Sequence, residues 1–356
     1  MVRLAIVGLG KMGLSHLSII KVHPDVDLVG VCDTSRYLLD MIGKYTGAPV
    51  FSDFDSMLRT AKPQALIVAT PSRFHESIVR TALQHDVHVF CEKPFCLSWT
   101  DSNALAALAE SKGLVNQVGY HYRFVATFQE MKRLLDVKAI GTVSHVLAEA
   151  YGPVVLRPKG MTWRSQREEG GGCLYDYAAH PVNLLNWFFG MPGSVGGTVI
   201  DSIFSKETDD EVYGTVRFVN GPSAQLSVNW SDESYRKMTV KISAWGSAGR
   251  IVADRQECQV YLRGDANQLS GYKKGWNVRY TTELTKPVWF YLRGEEYSAQ
   301  LDYFVESIGS ANRANVNSFA SAAQTDHVLS MMRDDANSTH TNAGSARSSK
   351  KAVDRQ

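Results

Sequence analysis

The chain has 356 residues, enough at roughly 100–200 residues per domain for two domains with sizeable cores. Lys and Arg number 38 against 36 Asp and Glu, so the formal net charge of +2 gives no field that would gather nucleic acid or an anionic membrane. With 44% hydrophobic residues and five cysteines (Cys32, Cys91, Cys96, Cys173, Cys258) in no zinc-ligand spacing, the composition reads as a cytoplasmic chain with reduced thiols and no metal.

The opening stretch "MVRLAIVGLG" is too short an apolar run to span a bilayer and breaks at glycine, unlike a signal peptide. Through the first third, strand-like runs alternate with helix-length amphipathic segments: "RLAIVG", "KMGLSHLSIIKV", "DLVGVCD", "SRYLLDMIGKYT", "ALIVAT", "HESIVRTALQH", "VHVFCEK", "LSWTDSNALAALAESKG", "VNQVGY". That alternation predicts β-α units and a parallel sheet with helices on both faces. After Tyr120 the period changes to two in "VSHVLAEAYG", "EVYGTVRFVN", "SAQLSVNWSD", "KMTVKISAWGS" and "RIVADRQECQVYL", predicting a second domain built on mainly antiparallel strands. "GEEYSAQLDYFVESIGS" returns to helical spacing, and the polar end lacks periodicity. The expected division is therefore 1–120, 121–336 and a disordered tail at 337–356.

The first strand runs into "GLGKMG", placing Gly8, Gly10 and Gly13 in a G-x-G-x-x-G arrangement with Lys11 and Met12 between the last two glycines. In a strand–turn–helix context these glycines serve the tight turn, the close approach of a pyrophosphate and helix–strand packing, while the helix start offers N–H groups to an anion. Asp33 ends the second strand about 20 residues on, where its carboxylate would accept the adenosine ribose hydroxyls; it also reads as a helix N-cap. Its charge favours NAD, and Arg36 three residues later leaves NADP as the alternative.

Lys93 sits in "EKPF", directly after the fifth strand, at the end of the sheet where open α/β folds bind their ligands. With "ATPSRFH" before it and "GGGCLYDYAAH" after it, in that order, the chain resembles the Gfo/Idh/MocA oxidoreductases, which include glucose–fructose oxidoreductase, inositol dehydrogenases and nucleotide-sugar dehydrogenases. The resemblance runs from Val2 to about Met332 and implies an α/β fold: an N-terminal Rossmann dinucleotide-binding domain plus a C-terminal α/β domain with an open-faced, mainly antiparallel sheet. It implies that Lys93 is a catalytic residue beside the nicotinamide, with Glu92 on the cofactor side and a cis bond before Pro94. Thr70, Pro71 and His75 become neighbours of the dinucleotide, and Asp176 and His180 the family's D-x-x-x-H pair. Two departures stand out: Ala178 replaces the glycine of the family's D-x-G-x-H-x-x-D, and Asn183 replaces its last aspartate, which alters the substrate contacts there. Pro181 implies a kink, or a helix starting at that residue.

Hydride removal from a secondary alcohol leaves a hydroxyl proton, and imidazole titrates near neutrality, so His180 is the candidate base. Asp176 is a candidate acceptor for a substrate hydroxyl or for His180, and Lys93 a cation for the charge developing on the reacting oxygen. The resemblance adds Tyr120, His121 and Arg123 of "GYHYRF" as substrate-facing candidates, with an ordinary strand end as the competing reading. Trp163 and Arg164 are types that stack on sugars or bind phosphates, although an exposed loop explains them as well. The implied function is NAD(P)-dependent hydride transfer on a sugar, cyclitol or sugar nucleotide. The alternatives are an NAD-dependent glycoside hydrolase and an inactive NAD(P)-binding regulatory protein. The implied partner is a second copy, in a homodimer or homotetramer through the C-terminal sheet.

Overall fold

A computed structural model describes residues 1–156, 163–264, 269–310 and 316–353, with side chains as far as 338. By its contacts the chain divides into two units: Met1–Gln129 with Glu168–Gly170 and Thr281–Asp326, and Glu130–Arg167 with Gly171–Tyr280 and His327–Gln356.

The first unit opens with β1 (Val2–Val7), α1 (Lys11–Lys21), β2 (Val26–Cys32), α2 (Arg36–Thr46), β3 (Val50–Phe51), α3 (Phe54–Ala61), β4 (Ala65–Val68), α4 (His75–Gln84), β5 (His88–Cys91), α5 (Trp99–Ser111) and β6 (Asn116–Val118). All six strands pair in parallel in the order β3-β2-β1-β4-β5-β6. The chain winds one way from β1 to β3 and the other way from β4 to β6, so a topological switch point falls between β1 and β4. Register makes this useful. Val7 lies opposite both Cys32 and Val68, and Val68 opposite Cys91. The residues that leave the sheet at Gly8, Asp33, Ala69 and Glu92 therefore emerge side by side at its carboxyl edge. The uninterrupted burial of Ala65–Val68 is what a parallel strand covered on both faces requires.

After α6 (Ala126–Asp136), the second unit contains β7 (Val143–Tyr151), a π-helical turn at Leu174–Ala178, α7 (Ala179–Phe189), β8 (Pro192–Asp201), β9 (Glu211–Phe218), β10 (Ser223–Asn229), β11 (Thr239–Gly246), β12 (Gly249–Ala253), β13 (Glu257–Leu262) and β14 (Gly275–Tyr280). These strands form an eight-stranded sheet in the order β14-β13-β12-β11-β7-β10-β9-β8, antiparallel throughout except where β7 meets β10. One face buries Ala148, Ala150, Leu226, Val228, Ile242 and Val260, with α7 packed on β7 and β11. The opposite face carries a cross-strand row, Trp245 opposite Arg250, Arg250 opposite Tyr261 and Tyr261 opposite Trp276. Within it the Arg250 guanidinium lies 4.6 Å from the Trp245 ring and the Tyr261 and Trp276 rings are 5.3 Å apart. Trp276 keeps 52% of its surface exposed.

The chain ends in α8 (Thr281–Leu284), α9 (Glu295–Gly309) and α10 (Phe319–Val353). Tyr297, Leu301, Phe304 and Val305 of α9 enter the same core as Leu4, Ile6 and Phe90. The segment 281–326 thus belongs with the first unit, where the sequence reading had continued the second domain to 336. Sequence periodicity shows that α9 has an apolar stripe and not which core receives it. Helix α10 likewise continues past Asn337, where a tail was expected, and the last of the expected tail, 354–356, lies outside the described residues. The five cysteines are free and buried, and no helix among the described residues is long and apolar enough to cross a membrane.

Candidate active site

The dinucleotide loop fits its proposed occupant glycine by glycine. A Cβ on Gly8, where φ is +92°, would lie 2.6 Å from the Ala69 carbonyl carbon, and one on Gly13 would lie 1.8 Å from the Gly8 oxygen. Both glycines therefore serve the packing of loop against β4 and of α1 against β1. Gly10 differs: a Cβ there would meet nothing within 4 Å, which leaves open the space above the start of α1 that a pyrophosphate needs. That helix start has no side-chain cap. Lys11 is exposed at its first position, and Met12 packs against the core. Asp33 accepts the Leu9 N–H at Oδ2 (2.6 Å) and the Ser35 N–H at Oδ1 (2.8 Å), so one carboxylate fixes the glycine loop and the turn into α2. Each oxygen retains a lone pair for a ribose hydroxyl. Arg36 is exposed at the start of α2.

The turn after β5 is held between two buried histidines. His16, on α1, places Nε2 2.6 Å from Glu92 Oε1, while Glu92 Oε2 accepts the Lys93 N–H at 3.2 Å. Burial alone would raise the Glu92 carboxyl, but the His16 bond, the Lys93 charge and the Lys93 amide together bring it below its ordinary value. His75 sets Nδ1 2.9 Å from the Pro94 carbonyl and Nε2 3.0 Å from the Thr70 carbonyl. Burial lowers its pKa, and the backbone carbonyls of Thr70, Pro94 and Phe95 oppose that shift. His75 thus ties the "TPSRFH" turn to the Lys93 turn; Thr70 is half-buried beside it and Pro71 exposed. The Lys93–Pro94 peptide is cis, as the resemblance implied. Arg73 of the same turn pairs with Glu169 at 2.6 Å, a partner about 100 residues away that no motif announced.

In the first unit, Tyr120 and Arg123 are buried, and the Arg123 guanidinium donates to the Val316 carbonyl at 2.5 Å. Burial brings the Arg123 pKa down to about 9. His121 stacks on Tyr297 with ring centroids 4.7 Å apart. These contacts are internal to the first unit.

The second unit holds Asp176 and His180, both buried, on the π-helical turn and the first turn of α7. The Ala179 N–H reaches back to the Leu174 carbonyl, a five-residue step, before the ordinary four-residue ladder resumes. Pro181 therefore falls within α7, three residues after Ala178, where the π-helical turn ends, and not at the helix change. Asn183 is buried within α7. Arg164 donates from Nε to Asp176 Oδ2 at 2.7 Å and lies 4.8 Å from the Trp163 ring. Burial would lower the Arg164 pKa, but the Asp176 carboxylate raises it on balance. Glycine makes the approach possible: a Cβ on Gly171 would sit 2.4 Å from the Arg164 carbonyl oxygen, and the Gly172 N–H donates to that oxygen. Asp209, unmarked by any motif, accepts the Leu174 N–H at 2.6 Å and so caps the turn that carries Asp176.

Residues 2–120 match the family described as "Oxidoreductase family, NAD-binding Rossmann fold", and residues 128–252 match the "GFO/IDH/MocA C-terminal domain". Among curated proteins the chain is 26% identical to D-glucoside 3-dehydrogenase of Escherichia coli, over 68% of this chain and 74% of that one. It is 28% identical to 2,7-anhydro-N-acetylneuraminate hydratase of Mediterraneibacter gnavus, over 74% and 70%. Among solved structures it resembles levoglucosan dehydrogenase in complex with NADH and levoglucosan, with a TM-score of 0.83, 21% identity and coverage of 95% and 97%.

Proposed function

The chain belongs to the Gfo/Idh/MocA oxidoreductase family, and from that premise we propose that it oxidises a secondary alcohol of a sugar, cyclitol or sugar nucleotide with NAD, or reduces the corresponding ketone with NADH. The observation that carries this reading is the alignment of β1, β4 and β5, which sets the glycine loop, the Thr70–His75 turn and Lys93 at one edge of one sheet. Dehydrogenases of D-glucoside, glucose 6-phosphate and levoglucosan among its relatives support a polyhydroxylated substrate.

Bound NAD supplies the hydride acceptor. Gly8, Gly10 and Gly13 form its cradle, and Asp33 takes the ribose. Lys93 stabilises the negative charge that develops on the reacting oxygen. His180 accepts the hydroxyl proton, and Asp176, oriented by Arg164, receives a neighbouring hydroxyl. Trp163 and the remaining N–H groups of Arg164 border that hydroxyl. A screen of NAD and NADP reduction across inositols, aldoses, anhydrosugars and nucleotide sugars tests the assignment: NADH formation with at least one member supports it, and none across the panel counts against it.

The name hydratase carried by curated relatives supports a second reading, in which NAD would hold the hydride only transiently and no net NADH would form. We also propose that the open sheet face bearing Trp245, Arg250, Tyr261 and Trp276 is covered by a second copy of the chain. Free, buried cysteines fit a cytoplasmic setting.

A further inference from the structure

His16 is fully buried on α1, yet its ring has a single polar tie. Nε2 lies 2.6 Å from Glu92 Oε1, and Nδ1 has no hydrogen-bond partner among the described residues. Because the carboxylate only accepts, Nε2 carries the proton and donates. The ring is set at this angle by Phe90 of β5, edge to face at 5.3 Å, and Phe90 in turn leans on Phe304 of α9 at 6.0 Å. On its far side the carboxylate is accommodated by Gly119, where a Cβ would come within 3.0 Å of the Glu92 carboxyl atoms. Its second oxygen accepts the backbone N–H of Lys93. If this pair served only to fill the core, two apolar side chains of the same shape would do as well or better, since a buried charge costs desolvation that a single good bond barely offsets. The arrangement instead links two functional segments: α1 begins at the dinucleotide loop, and Glu92 begins the turn that carries Lys93.

We propose that His16 is a positioning residue of the reaction: by donating Nε2–H to Glu92 it fixes the backbone at Lys93 and ties that turn to the helix rising from the dinucleotide loop. This rests on the reading of Lys93 as a group at the reacting oxygen. Misplacement of such a group by about 1 Å costs on the order of 100-fold in rate without loss of cofactor affinity.

The test compares His16→Leu, which keeps the bulk and removes the donor, with His16→Gln, which retains an N–H donor. The expected result is a fall in kcat of roughly 10–100-fold for His16→Leu, with KM and NADH affinity within about threefold of wild type, and recovery of most of the loss in His16→Gln. A purely structural role would lower stability and cofactor affinity together and would not distinguish the two variants by kcat. The second readout needs no substrate: the carbon-13 signal of the Glu92 carboxyl, faced by His16, Lys93 and the Gly119 backbone, should titrate at higher pH in His16→Leu and return toward wild type in His16→Gln. Should His16→Leu not fold, Glu92→Gln, which keeps the shape of the pair and removes its charge, takes its place and should show the same fall in kcat. Unchanged kcat, loss of NADH binding in His16→Leu, or an unmoved Glu92 signal would overturn the proposal. If wild-type protein turns over nothing in the substrate panel, the functional reading fails by itself, while the Glu92 signal still decides whether His16 holds the carboxylate.

Discussion

Arg164 holds Asp176 through a 2.7 Å bond from Nε to Oδ2, and the carboxylate it holds is almost entirely out of water. The buried acid at the heart of the D-x-x-x-H motif is therefore oriented by a guanidinium twelve residues upstream, delivered there by the glycine run between them. Removing the cation takes this bond and its charge away from a buried carboxylate. Arg164→Gln should destabilise the protein by about 1–2 kcal/mol, less than the roughly 3–5 expected for a fully buried pair, because 41% of the Arg164 side chain remains in water. Denaturant unfolding measures this. Arg164→Lys should recover only part of it, since a point charge lacks the directed Nε–H.

The glycines of the dinucleotide loop should separate stability from binding. Gly13→Ala drives a methyl group into the Gly8 carbonyl and should cost roughly 2–4 kcal/mol. Gly10→Ala meets no protein atom and has φ −62°, so stability should stay within about 0.5 kcal/mol of wild type. Its NADH affinity should nevertheless fall on the order of 10-fold, because the added methyl occupies space reserved for the pyrophosphate. Calorimetric titration beside unfolding curves checks both, and equal NADH affinity in Gly10→Ala would remove the cradle assignment.

Much of this was legible in the sequence because it is local. The alternation of period and turn residues yielded all six strands of the first sheet except the two-residue β3, and the G-x-G-x-x-G spacing located the loop. What could not be read is long-range pairing. His16 and Glu92 lie 76 residues apart, and Arg73 and Glu169 lie on segments with no shared pattern. The π-helical turn at Leu174–Ala178 has no period of its own to reveal it, so the sequence placed the helix change at Pro181 when it falls at Ala178. Helix α9 advertised an apolar stripe, but its assignment to the core of Leu4 and Phe90 depends on packing alone.

Asp326 supplies a pH-dependent term. It is buried, accepts the Cys96 N–H at 3.2 Å and meets no cation among the described residues, so burial raises its pKa from 3.8 to about 8 despite the bonds from Cys96 and Ser102. The folded protein holds a proton there over a range in which the unfolded chain has released it. Its contribution to stability is thus fully present below pH 3.8 and is lost as pH rises to about 8. Asp326→Asn should abolish this term, and the difference in Tm between variant and wild type should grow in the variant's favour from about pH 5 to about pH 9. A difference independent of pH would show that Asp326 is ionised in the fold.

The open face of the second sheet should self-associate. Trp245, Arg250, Tyr261 and Trp276 form one cross-strand row, and exposed Val278 and Tyr280 follow Trp276 along β14. A patch of this kind is uncommon on a monomer. Light scattering at micromolar concentration should give at least the dimer mass, and Trp276→Asp with Val278→Asp should shift it toward the monomer. A monodisperse wild-type monomer would refute the interface.

The most direct measurement of the central claim follows a hydride. With a perdeuterated form of whichever sugar the screen identifies, the account predicts that deuterium appears on the nicotinamide ring of the NADH formed, in step with ketone product. Lys93→Ala and His180→Ala should slow that transfer by roughly 10²–10⁴-fold with NADH affinity near wild type. Product that forms without net NADH and keeps its deuterium would support the hydratase-like reading. Undiminished transfer in Lys93→Ala would contradict the account, because it would reduce the turn after β5 to a strand cap.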